Sequence, residues 1–248
     1  MSTFGIRIKT PGLGLLVASD GFGLNYIGKA SFVQDEVAPD MNGLSPGGGT
    51  KPTFKRYRIV TASPVVVPFL SLSTRCCGVA KMTRSGNTWD FVVFNQDASN
   101  VAAPIDIYCF GRPTTHSTYG MRIRQNDGVT LAYEFGLNRN LMFAGVVDLA
   151  AGVSSATIPS GIVTPAVMGF ALGFIDPAWV LVNAARNQWR ADAYIHGWTL
   201  SGTVIARAQR QQRVNGDVVE YGAGESPGNE NYTGRAVTAF LIDANGLT

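Results

Sequence analysis

The opening octet of the chain, Ser2-Thr3-Phe4-Gly5-Ile6-Arg7-Ile8-Lys9, is written again near its middle as Ser117-Thr118-Tyr119-Gly120-Met121-Arg122-Ile123-Arg124. Each substituted position keeps its chemistry: Phe4 becomes Tyr119, Ile6 becomes Met121 and Lys9 becomes Arg124. The echo continues downstream. Phe22-Gly23-Leu24-Asn25 returns as Phe135-Gly136-Leu137-Asn138, Ile59-Val60-Thr61 as Ile162-Val163-Thr164, and Asn87-Thr88-Trp89 in altered form as Asn187-Gln188-Trp189. The spacing between copies shrinks along the chain, as insertions and deletions in loops would cause. A chain of 248 residues has room for two ordinary units. The echo divides it into a module at 1–112, a linker at 113–116 and a second module at 117–248.

The hydrophobic pattern inside each copy has period two. Phe4, Ile6 and Ile8 alternate with Gly5, Arg7 and Lys9, and Tyr119, Met121 and Ile123 repeat the arrangement. That period belongs to half-buried strands. Turn residues follow both, Pro11-Gly12 in the first copy and Asn126-Asp127-Gly128 in the second. Asp-Gly suits a tight hairpin because the turn needs positive φ at its centre. Returning strands are predicted over 15–18 and 129–133. Further strands are predicted over 27–34, 55–61, 65–72, 76–83, 89–95 and 104–111, then 140–148, 167–174, 178–183, 191–200, 203–213 and 235–243. Helical periodicity is almost absent. The expected fold is all-β: two tandem, sequence-related β-sandwich-like modules. The Gly-rich stretches 40–52 and 214–234 read as long loops.

Charge is scarce. Asp, Glu, Lys and Arg make up 15% of the chain, against about 25% in an average soluble domain, while 46% is hydrophobic. The net charge is +3 and the basic residues are scattered. Their densest run, Arg207, Arg210 and Arg213, has no stacking aromatics interleaved and reads as a solvated or interfacial strand face, so no nucleic acid is expected as a partner. No apolar run is long enough to span a bilayer, since Asp176, Pro165 and Pro177 break the richest one, and membrane insertion is not expected. The start has no leader pattern, which predicts synthesis in the cytosol.

The residues offer little chemistry. Gly47-Gly48-Gly49-Thr50-Lys51 has the wrong order and spacing for a phosphate loop, and Gly12-Leu13-Gly14 lacks the helix that would follow. His116 and His196 are the only histidines, and Cys76, Cys77 and Cys109 have no metal-binding spacing. Cys76 and Cys77 are neighbours on a strand and point to opposite faces, while Cys109 reads as a small core residue. Asp90, Asp106, Asp176 and Asp192 are single acids with no nominated partner. No catalytic residue, metal or cofactor is expected, and the chain reads as a non-enzyme. One binding constellation stands against a purely packing role: Trp179, Trp189, Tyr194 and Trp198 as stacking platforms for carbohydrate, with His196 between Tyr194 and Trp198.

The hairpin opening carries a resemblance. Tyr119-Gly120-Met121-Arg122-Ile123 with the turn Asn126-Asp127-Gly128, and the module end Ile105-Asp106-Ile107-Tyr108-Cys109-Phe110-Gly111, resemble small repeats in tail-tip and baseplate proteins of long-tailed bacteriophages. The first copy departs from the pattern at Thr10-Pro11-Gly12-Leu13-Gly14. The resemblance implies a structural virion protein of the tail, a homo-oligomer (a trimer above all) that joins other tail proteins in a ring or adaptor. It implies no active-site residue. The alternative is a receptor- or carbohydrate-binding tail module.

Overall fold

The computed structural model describes residues 8–10, 14–17, 24–36, 54–97, 102–112, 121–124, 131–135, 141, 143–169, 175–223, 225 and 236–247. At 8–10, 14–17, 121–124, 131–135, 175–180, 190–194 and 209–219 the description is of the backbone. The fold is all-β, as expected; a single 3-10 turn at Ala184–Arg186 is the sole helical element among the described residues.

The strands are β1 (Ile8–Thr10), β2 (Gly14–Val17), β3 (Asn25–Lys29), β4 (Ser31–Glu36), β5 (Phe54–Val60), β6 (Val66–Ser71), β7 (Cys76–Ser85), β8 (Thr88–Gln96), β9 (Ile107–Gly111), β10 (Met121–Arg124), β11 (Leu131–Phe135), β12 (Gly145–Leu149), β13 (Ser155–Thr157), β14 (Pro165–Met168), β15 (Ile175–Asn183), β16 (Gln188–Ser201), β17 (Val204–Glu220) and β18 (Val237–Asp243). Strands β1 and β2 form one antiparallel hairpin and β10 and β11 another, where the sequence placed them. The rest build two sheets. Six strands run in the order β12-β18-β14-β6-β9-β3, and eight make the second sheet, in the order β13-β17-β16-β7-β8-β5-β4 with β15 also paired to β16.

Both sheets draw on both halves of the chain. In the six-stranded sheet the halves meet where β14 pairs with β6, through Ala166 opposite Ser71 and Val167 opposite Leu70. In the eight-stranded sheet they meet where β16 pairs with β7, at Trp198 opposite Cys77. The described strands therefore do not sort into one sandwich from 1–112 and another from 117–248. Each half alone would leave raw edges at β6 or β14 and at β7 or β16, and joining them satisfies those backbone groups. Reading outward from the six-stranded junction gives β6, β9, β3 on one side and β14, β18, β12 on the other.

Alternation, broken in β7 by a bulge between Val79 and Lys81, separates the two faces of each sheet. Val66, Leu70, Ile107, Cys109, Val167 and Leu241 of the six-stranded sheet share one core with Tyr57, Phe91, Val93, Cys77, Trp198 and Ile205 of the eight-stranded sheet. This is the interior of a β-sandwich, and residues of both sequence halves fill it. The outward faces are also apolar in places: Phe69, Tyr108, Phe110 and Ile242 cluster on the six-stranded sheet, and Phe54, Cys76, Phe94 and Ile195 on the other.

Three departures from the sequence reading have physical causes. The single strand expected over 27–34 is two strands in different sheets. The chain changes sheet beside Ala30, with a register shift between Tyr26 and Gly28, and Gly28 takes φ +128°, a conformation that side-chain-bearing residues avoid. The loop expected from residue 214 begins later, because β17 continues to Glu220 against β16 despite its polar composition. Its long ladder of backbone bonds outweighs weak strand propensity. Thirdly, Arg207 is not on a solvated face: it is 5% exposed, and its Nη2 donates to the carbonyls of Leu149 and Ala150, both at 2.9 Å. The guanidinium thus ties the eight-stranded sheet to the end of β12 in the other. The loop expected at 40–52, the linker 113–116 with His116, and Gly5 and Gly120 lie outside the described residues.

The C-terminal strand is fastened by a carboxylate. Asp243 accepts from the backbone N–H of Thr164 at 2.9 Å, of Asn245 at 3.1 Å and of Val163 at 3.3 Å. Burial by itself would raise the pKa of this carboxyl; the three N–H donors outweigh it and hold the group below the usual value of 3.8. A depressed folded-state pKa contributes stability that is fully present above pH ~4 and is lost as the pH falls through the folded-state value. Asp243→Asn should therefore flatten the stability profile below pH ~4 relative to the parent while lowering stability at neutral pH, measured by urea unfolding across pH. An unchanged acid limb would show that Asp243 is not a clamp.

Candidate interaction surface

The sequence offers a set of aromatics rather than a catalytic constellation, and their placement decides what they can do. Trp198 lies on β16 in the sandwich interior and is 2% exposed. No ligand can stack on it without opening the fold. Ile195, three residues earlier, belongs to the opposite, outward face. Trp189 is nine positions from Trp198, which by strand alternation places it on the other side of β16. It is half-buried, and its indole Nε1 donates to Asn187 Oδ1 at 2.8 Å. Trp179 pairs in register with Ala191 and Tyr194 with Asp176; the side chains of these two lie outside the described residues. Trp189 and Trp198 do not form one platform. His196, which the sequence grouped with Trp198, is buried at 2% exposure.

Around Trp189 the chain builds a hydrogen-bonded turn. Asn183 caps the 3-10 turn, its Oδ1 accepting from the N–H groups of Ala185 and Arg186 at 3.1 and 3.3 Å. Asn187 closes the turn at φ +47°, the left-handed conformation that Asn tolerates better than most residues. Its side-chain amide donates to the carbonyls of Tyr221, Gly222 and Glu225 at 3.2, 2.6 and 2.8 Å. One asparagine thereby holds the β15–β16 turn against the segment leaving β17. Leu181 and Val182 are exposed beside it, at 44% and 41%. The earlier Trp of the echoed pair behaves differently: Trp89 is buried, its Nε1 donates to Ser63 O at 3.3 Å, and the Arg84 guanidinium lies 5.3 Å over its ring.

A second exposed region is the β4 edge of the eight-stranded sheet. Phe32 is 53% exposed, and its ring packs edge-on to Tyr57 at 5.9 Å with Lys55 Nζ 5.1 Å above it. A register shift between Phe32 and Gln34 breaks the ladder there. Lys55 pairs with Asp35 at 2.5 Å and Arg56 with Glu36 at 2.8 Å. Bulges and charges of this kind discourage the addition of another strand, so this edge offers an aromatic contact and not a template for pairing. On the exposed surface of the next strands in, Arg58 of β5 grips Asp90 of β8 through two bonds of 2.7 and 2.9 Å, and that hydrogen-bonded pair holds the Asp90 carboxyl below its usual range.

The cysteines are structural in their surroundings. Cys76 and Cys77 belong to different clusters on opposite faces of β7, as the sequence required, and Cys109 lies in the interior. Burial pushes the Cys77 thiol up strongly and the Cys109 thiol up to about 12. Thiolate is the reactive form, so the native protein should react with a thiol reagent only as fast as it opens. Quantitation with a chromogenic disulfide should find the thiols silent in buffer and all three free in denaturant. Rapid titration of any thiol in the folded protein would contradict the burial.

Among the described residues no group of three or more His, Cys, Asp and Glu is placed to hold a metal ion, and no helix is long and apolar enough to cross a membrane. Comparison with family models, curated proteins and solved structures finds no match to the chain.

Proposed function

We propose that this chain is a structural component of a bacteriophage tail tip or baseplate, made in the host cytoplasm and built into the virion as an oligomeric ring or adaptor between tail components. The observation that carries the reading is the doubled hairpin sequence, Phe4-Gly5-Ile6-Arg7-Ile8 and Tyr119-Gly120-Met121-Arg122-Ile123, in a chain with 15% charged residues. The all-β sandwich accords with it, as do the exposed apolar side chains Phe32, Val60 and Val163. A chain that presents two similar elements can contact neighbours in like fashion on either side of a closed ring, and closed cyclic symmetry is the usual form of homo-oligomers. A homotrimer would display six such elements.

The test is stoichiometry in purified particles. Quantitative mass spectrometry should find the chain in the virion at a multiple of three copies. Absence from particles would end the reading. The carbohydrate-binding alternative is tested separately by titrating host surface polysaccharide into the protein. Saturable binding abolished in Trp189→Ala would promote it, since Trp189 is the member of the aromatic set seen half-buried near the surface.

A further inference from the structure

Beyond the Asp243 clamp the chain makes a turn at the surface. The Leu247 N–H closes it by donating to the Ala244 carbonyl at 3.0 Å. Both ends of the turn are anchored inward: Ala244 is 2% exposed and Leu247 8%, and they pack on the outward apolar cluster of the six-stranded sheet with Phe69, Tyr108, Phe110 and Ile242. The residues between them, Asn245 and Gly246, are exposed. Gly246 takes φ +72°, a conformation that glycine adopts without strain.

The backbone N–H groups of this stretch are unevenly used. Ala244 donates to the Thr164 carbonyl at 2.8 Å, Asn245 to Asp243 Oδ1 at 3.1 Å and Leu247 to Ala244. Among the described residues the Gly246 N–H takes no acceptor. That nitrogen is the atom that covalent geometry places to attack the side chain before it, because N of residue 246 and Cγ of residue 245 close a five-membered ring. Glycine adds no Cβ to hinder the approach, and water reaches both residues.

We propose that Asn245 is a site of spontaneous deamidation, and that the change releases Leu247 from the outer face of the six-stranded sheet. The Gly246 nitrogen loses its proton and bonds to the Asn245 carboxamide carbon, and the carboxamide nitrogen leaves as ammonia. Water then opens the cyclic imide at either of its carbonyls. One product is aspartate. The other is isoaspartate, in which the main chain runs through the former side chain and is one carbon longer. Either product puts a carboxylate two residues from Asp243, and a like charge so close disfavours the ionised clamp. In the isoaspartate the turn must also fit a longer path between its two buried ends. Ala244 follows directly on β18, which is paired on both sides by β12 and β14; Leu247 is therefore the end that yields. The apolar cluster beneath it is then partly uncovered. This inference stands apart from the proposed tail role, and either can fail without the other.

The experiment is ageing of the folded protein at mildly alkaline pH, followed by peptide mapping and by hydrogen exchange on the modified fraction. Mapping separates Asn245 from the other Asn-Gly pairs of the sequence, Asn42-Gly43 and Asn215-Gly216. The peptide carrying Asn245 should gain the mass that replacing NH2 by OH brings, mainly as isoaspartate, at a rate similar to that of protein aged in urea. In the modified fraction the amide protons of Ala244 and Leu247 should exchange at least about tenfold faster, while those of β6 and β9 keep their protection. Asn245→Gln, whose longer side chain closes a ring poorly, should age without either change. An Asn245 that stays an amide in the folded protein while the unfolded protein converts would overturn the site. Conversion that leaves exchange at Leu247 unchanged would overturn the release.

Discussion

Gly197→Ala should lower the stability of the fold by about 3 kcal/mol, the upper part of the range for overpacking a filled site. A Cβ on residue 197 would overlap the Cys77 carbonyl oxygen and stand 2.8 Å from two carbons of the Phe94 ring. A flexible side chain could yield to such an intrusion. The Cys77 carbonyl cannot, because it belongs to β7 at the point where that strand pairs with β16. Relief would push apart the two sequence halves at their junction in the eight-stranded sheet. For a chain of this size the loss corresponds to a drop of about 6–12 °C in Tm. Urea unfolding should show a lower midpoint at unchanged slope, the sign of altered stability without altered compactness. A midpoint equal to that of the parent would mean that β7 and β16 are not held as closely as the structure has them.

Phe91→Ala should cost about 4 kcal/mol, within the usual range for deleting a core aromatic ring. Phe91 is fully buried between Tyr57 of β5 and Met82 of β7 in register, on the side of the sheet that faces the other layer. Truncation removes the ring from the interior and leaves a void that strands held on both sides cannot collapse to fill. Phe32→Ala supplies the contrast within one residue type. Phe32 is 53% exposed on an edge strand, and its loss should change stability by no more than about 1 kcal/mol. Comparable costs in the two variants would contradict the layer assignment, since only one of the rings lies between the sheets.

Much of the local structure was legible in the sequence because it depends on near neighbours. Alternation of Tyr57, Ile59 and of Phe91, Val93 against polar or outward residues follows from the period of a strand, and it located β5, β6, β7, β8 and β9 to within a few residues. The two hairpins were legible from alternation followed by turn chemistry. Cys76 and Cys77 had to part to opposite faces whatever the fold. The left-handed Asn187 could have been suspected from its place between two strand-like runs, but its grip on the carbonyls of Tyr221, Gly222 and Glu225 could not, since those partners lie more than thirty residues away.

Pairing across the chain was decided by tertiary structure alone. An echo in sequence says that two segments resemble each other; it does not say whether each copy closes its own sheet or lends its edge to the other. That choice depends on which unsatisfied strand edges find partners, here β6 with β14 and β7 with β16. The same nonlocal arrangement carried Trp198 into the interior, away from any surface it might have shared with Trp189, and buried Arg207 against carbonyls of the opposite sheet. The sequence by itself determined the strand period, the hairpins and the scarcity of charge, because these reside in adjacent residues. The number of sheets, their shared core and the fate of each aromatic awaited the packing, because burial is a property of what the rest of the chain brings alongside.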